Sequence, residues 1–301
     1  MKNNIDHTMK NLDLCIKAAL AGGGAISDYK PTRTRTKHDI HVGHHAIVTS
    51  ADYKSQKAIL NELKSDMDSF FMTEEHVNER FFQDRLIKGK DLKKLTDSRV
   101  YIIDELDGSS GFKIGHYEWS ISVGLLENLV HVAGAVYAPR INGGTLFYAS
   151  LSNGAFIRGM DRDKQLRIPK RNLLDSYVIV GVDCFLKKYP IHNKLVHKLA
   201  DECRTVNSNG SCALPLGLVA AGRADALVQP VQSPWDWAAG KLIVEEAGGK
   251  VLFYEQEGNK MNFLEKLEAK HYNPNERSVG FIAANKSLAD QIKDILLGLR
   301  E

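Results

Sequence analysis

The hydrophobic pattern at the start of the chain predicts two helices. Apolar residues fall three or four positions apart at Ile5, Met9, Leu12, Ile16 and Ala19. This spacing is typical of an amphipathic helix, and the glycines at positions 22–24 are expected to weaken or stop it. Thr49 and Ser50 can cap a second helix that runs to about Asp66.

Short apolar runs after these helices predict strands. The runs 70–73 and 100–103 have the pattern of buried strands, and both are followed by acidic residues. Apolar and polar residues alternate over 119–125, and Asn153-Gly154 is a strong signal for a hairpin turn. This half of the chain is therefore expected to pack helices on an antiparallel sheet.

After about residue 160 the pattern changes to strands that alternate with helices. Strand-like runs lie at 177–182, 224–228, 251–254 and 279–284, and helical patterns lie near 190–201, 211–221 and 237–247. Such alternation predicts an α/β arrangement. We expect two closely packed domains, an N-terminal α+β domain over 1–160 with most of the metal ligands and a C-terminal α/β domain over 161–301.

Composition narrows the class of protein. The 301 residues are 43% apolar and 26% charged, and 40 basic residues nearly balance 37 acidic ones. These values exclude a disordered or coiled-coil protein and a general binder of nucleic acids or membrane surfaces. The four cysteines form no C-x-x-C pair, so free thiols are expected. With no signal-peptide pattern and no apolar run of about 18 residues, we expect a cytoplasmic protein.

Acidic residues and a glycine follow the apolar run 100–103. Asp104 and Asp107 are three residues apart across a turn, with the Leu106 carbonyl between them. Hard cations such as Mg²⁺ bind oxygen ligands of this kind. A helix starting after Asp107 would direct the N–H groups of Gly108 and Ser109 at a phosphate. The segment is equally compatible with a plain Asp-Gly turn and helix cap.

Two further acidic segments favour the metal site over the turn. Glu74 and Glu75 follow the predicted strand 70–73, and Asp236 lies between two tryptophans at a predicted helix start. Alone, the glutamates fit a solvated strand end and Asp236 fits an N-cap. The tryptophans are expected to pack around Asp236 rather than to stack on a ligand. Three acidic segments together indicate a shared cation site.

With these acidic segments, the sequence resembles the inositol monophosphatase family. This family lies in the lithium-sensitive, Mg²⁺-dependent phosphatase superfamily with fructose-1,6-bisphosphatases and 3'(2'),5'-bisphosphate nucleotidases. The motifs that carry the resemblance are Val48-Thr49-Ser50-Ala51-Asp52, Glu74-Glu75, Asp104-Glu105-Leu106-Asp107-Gly108-Ser109 and Trp235-Asp236-Trp237-Ala238-Ala239-Gly240, followed by Glu245-Glu246-Ala247-Gly248-Gly249. The resemblance covers nearly the whole chain and implies a layered αβαβα sandwich.

The resemblance also implies a set of metal ligands. Glu74, Asp104 and the Leu106 carbonyl would hold a first Mg²⁺, and Glu74 would also reach a third, weaker one. Asp104, Asp107 and Asp236 would hold the second ion. Two or three Mg²⁺ ions per site are therefore expected.

The catalytic residues implied by the family are Asp52, Ser109 and Glu74. Asp52 and Ser109 would orient the attacking water and help to deprotonate it. The backbone N–H groups of Gly108 and Ser109 would contact the phosphate, and Ser211, in a substrate loop over 204–211, would contact the rest of the substrate. That loop also fits a plain helix cap.

Several positions depart from the family pattern. Glu105 stands where the family usually has Pro, and Ser109 stands where inositol-type members usually have Thr. Gln229 lies near the place where inositol-specific members often have Glu, so a substrate other than inositol phosphate stays open.

The basic, histidine-rich segment 30–45 is expected to be an exposed loop. From its family position, Lys37 could touch the substrate, and Arg33 and Arg35 could bind a second phosphate. Its histidines could alternatively hold zinc, although their spacing is not helical. A solvated loop without a ligand explains the segment equally well.

The sequence thus predicts a Mg²⁺-dependent phosphomonoesterase that hydrolyses a small phosphorylated polyol or sugar with an activated water. Li⁺ inhibition and a homodimer are implied by the family. The alternatives are a 3'(2'),5'-bisphosphate nucleotidase and a non-catalytic regulatory protein on the same fold. No membrane partner is expected, and no nucleic acid beyond a nucleotide substrate.

Overall fold

The computed structural model describes residues 2–29, 34–39, 44–66, 68–77, 80–89, 91–159, 162–182, 190–257 and 260–299. The side chains at 2–8, 34–39, 44–49 and 81 lie outside this description. The helices are α1 Lys2–Ile26, α2 Ser50–Leu63, α3 Arg80–Gln83, α4 Lys94–Asp97, α5 Ser109–Lys113, α6 Pro190–Glu202, α7 Ala213–Ala220, α8 Pro234–Glu246 and α9 Lys286–Gly298. A short 3-10 helix covers Ala269–Tyr272.

The strands form two large sheets and one hairpin. The hairpin pairs β1 Thr34–Asp39 with β2 His44–Thr49. The first sheet contains β3 Phe70–Thr73, β4 Arg99–Asp107, β5 Ser120–Glu127, β6 Val130–Ala138, β7 Thr145–Ser150, β8 Ala155–Arg158 and β9 Asp163–Gln165. The second contains β10 Tyr177–Val180, β11 Thr205–Asn207, β12 Ala226–Gln232, β13 Lys250–Glu257, β14 Lys260–Phe263 and β15 Val279–Ala284.

The first sheet is mostly antiparallel, as the sequence predicts. Its strands follow chain order from β3 to β9, and only the β3–β4 pair is parallel. The turn at Asn153-Gly154 joins β7 to β8, which confirms the predicted hairpin. The parallel pair brings the carboxyl ends of β3 and β4 to one edge of the sheet, where the acidic residues follow.

The second sheet is mixed and has the order β11-β10-β12-β15-β13-β14. Strand β10 is parallel to both of its neighbours, and the remaining pairs are antiparallel. Strands and helices alternate along this half of the chain, as predicted. The boundary between two domains at residue 160 stays a prediction.

Five layers pack around three apolar cores, the largest of which lies on both sides of the middle helix layer. Helices α1 and α2 pack on the outer face of the first sheet, and α7 and α8 lie between the two sheets. Helices α6 and α9 cover the outer face of the second sheet. The order is helix, sheet, helix, sheet, helix, which confirms the predicted αβαβα sandwich.

Helix α1 does not end at its glycines, and that prediction was wrong. A Cβ atom at Gly22 would lie 2.7 Å from Cγ1 of Ile59 in α2, and one at Gly23 would lie 2.5 Å from the ring of Tyr137. The glycines therefore allow α1 to approach α2 and β6 closely while the helix continues to Ile26. Tertiary contact overrides the low helix propensity of glycine here.

The segment 30–45 also differs from expectation, because its described parts form the β1–β2 hairpin rather than a loop. Lys37 lies in β1, where its backbone pairs with Ala46. The side chain of Lys37 and the residues 30–33 and 40–43 lie outside the described part, as do the side chains of Arg35, His38, His44 and His45. The suggested contacts with substrate, phosphate or zinc therefore stay predictions.

Cys15 and Cys203 carry free thiols, and Cys184 lies outside the described residues. Among the helices that the structure describes, none combines the length and the apolar character needed to cross a membrane.

Candidate active site

The acidic cluster lies at the end of the parallel β3–β4 pair. Glu74 follows β3 directly, and Asp104 lies near the end of β4, where the pairing with β5 shifts register between Asp104 and Asp107. Asp104 is buried, and its Oδ1 accepts a hydrogen bond of 3.0 Å from the backbone N–H of Leu106. Carboxylate oxygens of Glu74, Asp104 and Glu105 lie within 4.8 Å of one another.

The electrostatics of Asp104 show which groups surround it. Burial raises the pKa of Asp104 well above its usual range, and the negative charges of Glu74, Asp107 and Asp236 raise it further. These three acids are thus near Asp104, as the sequence predicts. Buried carboxylates and a carbonyl are the donor set of a hard cation, so the residues fit a divalent metal such as Mg²⁺.

Asp107 connects the end of β4 to the start of α7. Its carboxylate accepts hydrogen bonds from the hydroxyls of Ser120, at 2.9 Å, and Ser211. It also accepts the backbone N–H groups of Cys212, at 2.7 Å, and Leu214, at 3.0 Å. The N-terminal N–H groups of a helix stabilise an anion in this position. The predicted ligand Asp107 and the predicted substrate residue Ser211 are therefore in direct contact.

Asp236 is not the N-cap of α8 that its place in the sequence suggested, because Ser233 holds that position. Asp236 is the third residue of α8, and its Oδ2 accepts the backbone N–H of Ser233 at 2.8 Å in a capping box. It also lies close enough to Asp104 to raise the pKa of that carboxyl. Trp237 is buried and packs edge-on against Phe253 with ring centroids 4.9 Å apart, which confirms a packing role.

Asp52 and Ser109 are brought together from two helices. Asp52 is a buried residue in the first turn of α2, and Ser109 is the first residue of α5. The Ser109 Oγ lies 3.2 Å from Oδ1 of Asp52 and 2.8 Å from the carbonyl oxygen of Leu106. A hydroxyl that can donate to Asp52 while it accepts from water is the arrangement needed for proton transfer.

Gly108 forms the turn between β4 and α5. Its φ angle is +86°, and a Cβ atom there would lie 2.9 Å from the carbonyl oxygen of Glu118. Only glycine fits both conditions without strain. Helix α5 begins at Ser109, as predicted, so Gly108 and Ser109 form its first turn.

Gln229 lies behind the substrate loop. It is buried in β12, its side-chain amide donates to the carbonyl of Ser211 at 3.5 Å, and its Oε1 accepts from Gln232 at 3.1 Å. The structure thus brings Gln229 to Ser211, and through Ser211 to Asp107.

A cavity of about 660 Å³ lies beside the acidic cluster, with Glu74 and Trp235 in its lining.

Sequence reasoning gave no role to Glu105 or to Gln56. Glu105 is buried, and the amide of Gln56 donates to its Oε1 at 2.8 Å and to the Glu75 carbonyl at 2.9 Å. For Glu105, the sequence did offer a signal, because this acid follows an apolar strand run and lies between two aspartates. A single Gln on α2 gave no comparable signal, because its partners lie 19 and 49 residues away.

Comparisons with known proteins agree with this site. The model of the inositol monophosphatase family matches residues 9–294. Inositol monophosphatase 2 of Solanum lycopersicum is 33% identical over 248 residues, which cover 80% of this chain and 86% of the relative. A fructose-1,6-bisphosphatase/inositol-1-monophosphatase of Thermotoga maritima is 31% identical over 205 residues, which cover 68% of this chain and 70% of the relative.

A solved structure extends the agreement to the fold. The extragenic suppressor protein suhB of Bartonella henselae superposes with a TM-score of 0.73 at 26% identity. The superposition covers 95% of this chain and 98% of that protein. The chain therefore belongs to the inositol monophosphatase family, whose members are metal-dependent phosphoric monoester hydrolases.

Proposed function

We propose that the protein is a Mg²⁺-dependent phosphomonoesterase that acts on a small phosphorylated polyol or sugar. The observation that carries the proposal is the convergence of acids from three segments, the ends of β3 and β4 and the start of α8, beside the Asp52–Ser109 pair. The cluster offers oxygen donors, and the pair offers proton transfer. Together they match hydrolysis of a phosphate ester by water.

Glu74, Asp104, the Leu106 carbonyl, Asp107 and Asp236 would hold the cations. When bound, Mg²⁺ supplies positive charge that stabilises the phosphate oxygens and eases deprotonation of water. Two of these residues are held by hydrogen bonds within the protein, Asp107 by the start of α7 and Asp236 by its capping box. Pre-positioned ligands reduce the reorganisation needed when substrate binds.

Ser109 and Asp52 would prepare the water. The water would donate to Oγ of Ser109, whose hydroxyl has two acceptors within reach, Oδ1 of Asp52 at 3.2 Å and the Leu106 carbonyl at 2.8 Å. When the hydroxyl donates to Asp52, a proton can move from the water through Ser109 to Asp52. The water then attacks the phosphorus opposite the leaving alkoxide, and no covalent phosphoenzyme is required. The N–H groups of Gly108 and Ser109 would hold the phosphate.

A polar leaving group is the part of the substrate that the site specifies least directly. Ser211 donates to the Asp107 carboxylate, Gln229 donates to the Ser211 carbonyl, and both are buried, so their contact with substrate hydroxyls stays a prediction. The cavity of about 660 Å³ borders the cluster on the side of Glu74 and Trp235 and is large enough for a phosphorylated sugar. The relatives named above act, by their names, on inositol and fructose phosphates, which supports the same substrate class here.

The test is phosphate release by the purified chain with Mg²⁺. Inositol 1-phosphate, fructose 1,6-bisphosphate and adenosine 3',5'-bisphosphate are compared, and one of the first two is expected to be preferred. Asp104→Asn should lower the rate by about 10³-fold or more, because several kcal/mol of charge stabilisation are lost and each 1.36 kcal/mol is tenfold.

Asp163→Asn is the matched control. Asp163 pairs with Arg158 on β8 and β9, at the opposite edge of the sheet from β3, so its loss should leave the rate unchanged. Preference for the nucleotide would favour a bisphosphate nucleotidase. Hydrolysis of none of the three esters would contradict the proposal and leave the non-catalytic alternative.

A further inference from the structure

Glu105 stands where the family resemblance has Pro, and the structure buries it beside Glu74 and Asp104. Only 1% of its surface is exposed. Gln56 holds one end of the carboxylate by donating to Oε1 at 2.8 Å, and the same amide donates to the Glu75 carbonyl. The carboxylate is therefore fixed in place rather than directed to solvent.

The other oxygen of Glu105, Oε2, is buried and makes no hydrogen bond to any residue that the structure describes. A buried carboxylate oxygen without a partner is costly, since it has lost its water and gained nothing in exchange. Such an atom in a native fold requires a physical reason, and an ion is one of the few available.

The distances provide that reason. Oxygens of Glu105, Glu74 and Asp104 lie within 4.8 Å of one another. Divalent cations bind oxygen at about 2.0 to 2.6 Å, so ligands on opposite sides of one ion are separated by up to about 4 to 5 Å. The three oxygens can therefore surround a single cation.

Glu105 also lies among other buried acids. Asp104 and Asp107 are buried on either side of it in β4, and Glu75, whose carbonyl shares the Gln56 donor with Glu105, is buried as well. A bound cation would neutralise this concentration of carboxylates.

We propose that Glu105 is itself a ligand of the cation held by Glu74 and Asp104. The inference rests on the cation site of the proposed function and adds a fourth protein ligand to the three that the family resemblance implies there, two carboxylates and the Leu106 carbonyl. The position usually occupied by Pro in the family becomes a ligand in this chain. A purely structural Glu105 would instead leave cation affinity unchanged when its charge is removed.

The test is a calorimetric titration of the metal-free full chain with Mn²⁺. Glu105→Gln keeps the shape of the side chain and an acceptor for Gln56 but removes the charged ligand. We expect it to weaken binding at the tightest site by about tenfold or more, since even supporting groups around a metal are worth 10- to 100-fold. Glu105→Ala should show the same loss, and it replaces Glu105→Gln if that variant does not fold by circular dichroism.

Glu75→Gln is the matched control, because it removes a neighbouring buried charge that is not among the three grouped oxygens. It should change affinity by less than about threefold. Binding by Glu105→Gln within about twofold of wild type would overturn the inference, and so would an equal loss in Glu75→Gln. If wild type binds no Mn²⁺, the proposed function fails as well, whereas equal binding by wild type and Glu105→Gln removes only the role of Glu105.

Discussion

Ser109 offers the sharpest test of how the site uses water. Its Oγ lies 3.2 Å from Oδ1 of Asp52 and 2.8 Å from the Leu106 carbonyl. Ser109→Ala removes this hydroxyl and leaves the backbone N–H groups that would hold the phosphate. The substitution therefore separates proton transfer from phosphate binding.

The magnitude follows from those contacts. Proton transfer by a positioned group contributes about 10² to 10⁴ in rate, or about 2.7 to 5.4 kcal/mol at 1.36 kcal/mol for each factor of ten. We expect kcat to fall by that factor in Ser109→Ala while KM changes less than about threefold. The lost hydrogen bond should lower the free energy of unfolding by only about 0.5 to 1.5 kcal/mol.

The assay is steady-state phosphate release with saturating Mg²⁺. Ser109→Thr keeps the hydroxyl and should stay within a few-fold of wild type. Asp52→Asn keeps an acceptor but removes the base, so it should match Ser109→Ala, and the double variant should lose little more because the two residues act in one step. A kcat for Ser109→Ala within tenfold of wild type, or a loss confined to KM, would refute the reasoning.

Two further predictions concern stability. Gly22→Ala would place a Cβ 2.7 Å from Ile59, so it should lower the free energy of unfolding, measured in urea, by about 1 to 3 kcal/mol. Gly24→Ala, which lies in open space on α1, should raise that free energy by about 0.5 to 1 kcal/mol. Equal effects of the two substitutions would contradict the close packing at Gly22. Burial opposes ionisation of Asp66, yet the hydrogen bond and charge of Arg99 hold its pKa below its usual range. This stabilisation is present above about pH 4 and lost as the pH falls further. Thermal unfolding should therefore show Asp66→Asn less stable than wild type at pH 7, with the difference shrinking below pH 4; a constant difference would argue against the ion pair.

The sequence predicted the elements that local pattern determines. Strand β3 follows its apolar run, and α2 begins at the predicted cap Ser50. The spacing of Asp104 and Asp107 predicted that they face a common point, and Asp107 lies near enough to raise the pKa of Asp104, while a shared cation stays a prediction. These features depend on neighbours in the chain, which a single sequence shows directly.

Features that depend on distant partners could not be predicted. The glycines of α1 suggested a helix end because the sequence cannot show that α2 packs against Gly22. The burial of Glu105 could not be predicted for the same reason, since its partner Gln56 lies 49 residues away in α2. The hairpin of β1 and β2 was missed because its residues carry no regular apolar period.

The carboxylate of Asp107 joins β4 to α7 across 104 to 107 residues of chain. Contacts this distant in sequence form late, because a long loop must close before they contribute any free energy. The active site is therefore complete only when both halves of the chain have folded. In a refolding experiment, enzymatic activity should return with the slowest phase, after the recovery of helix and sheet signals.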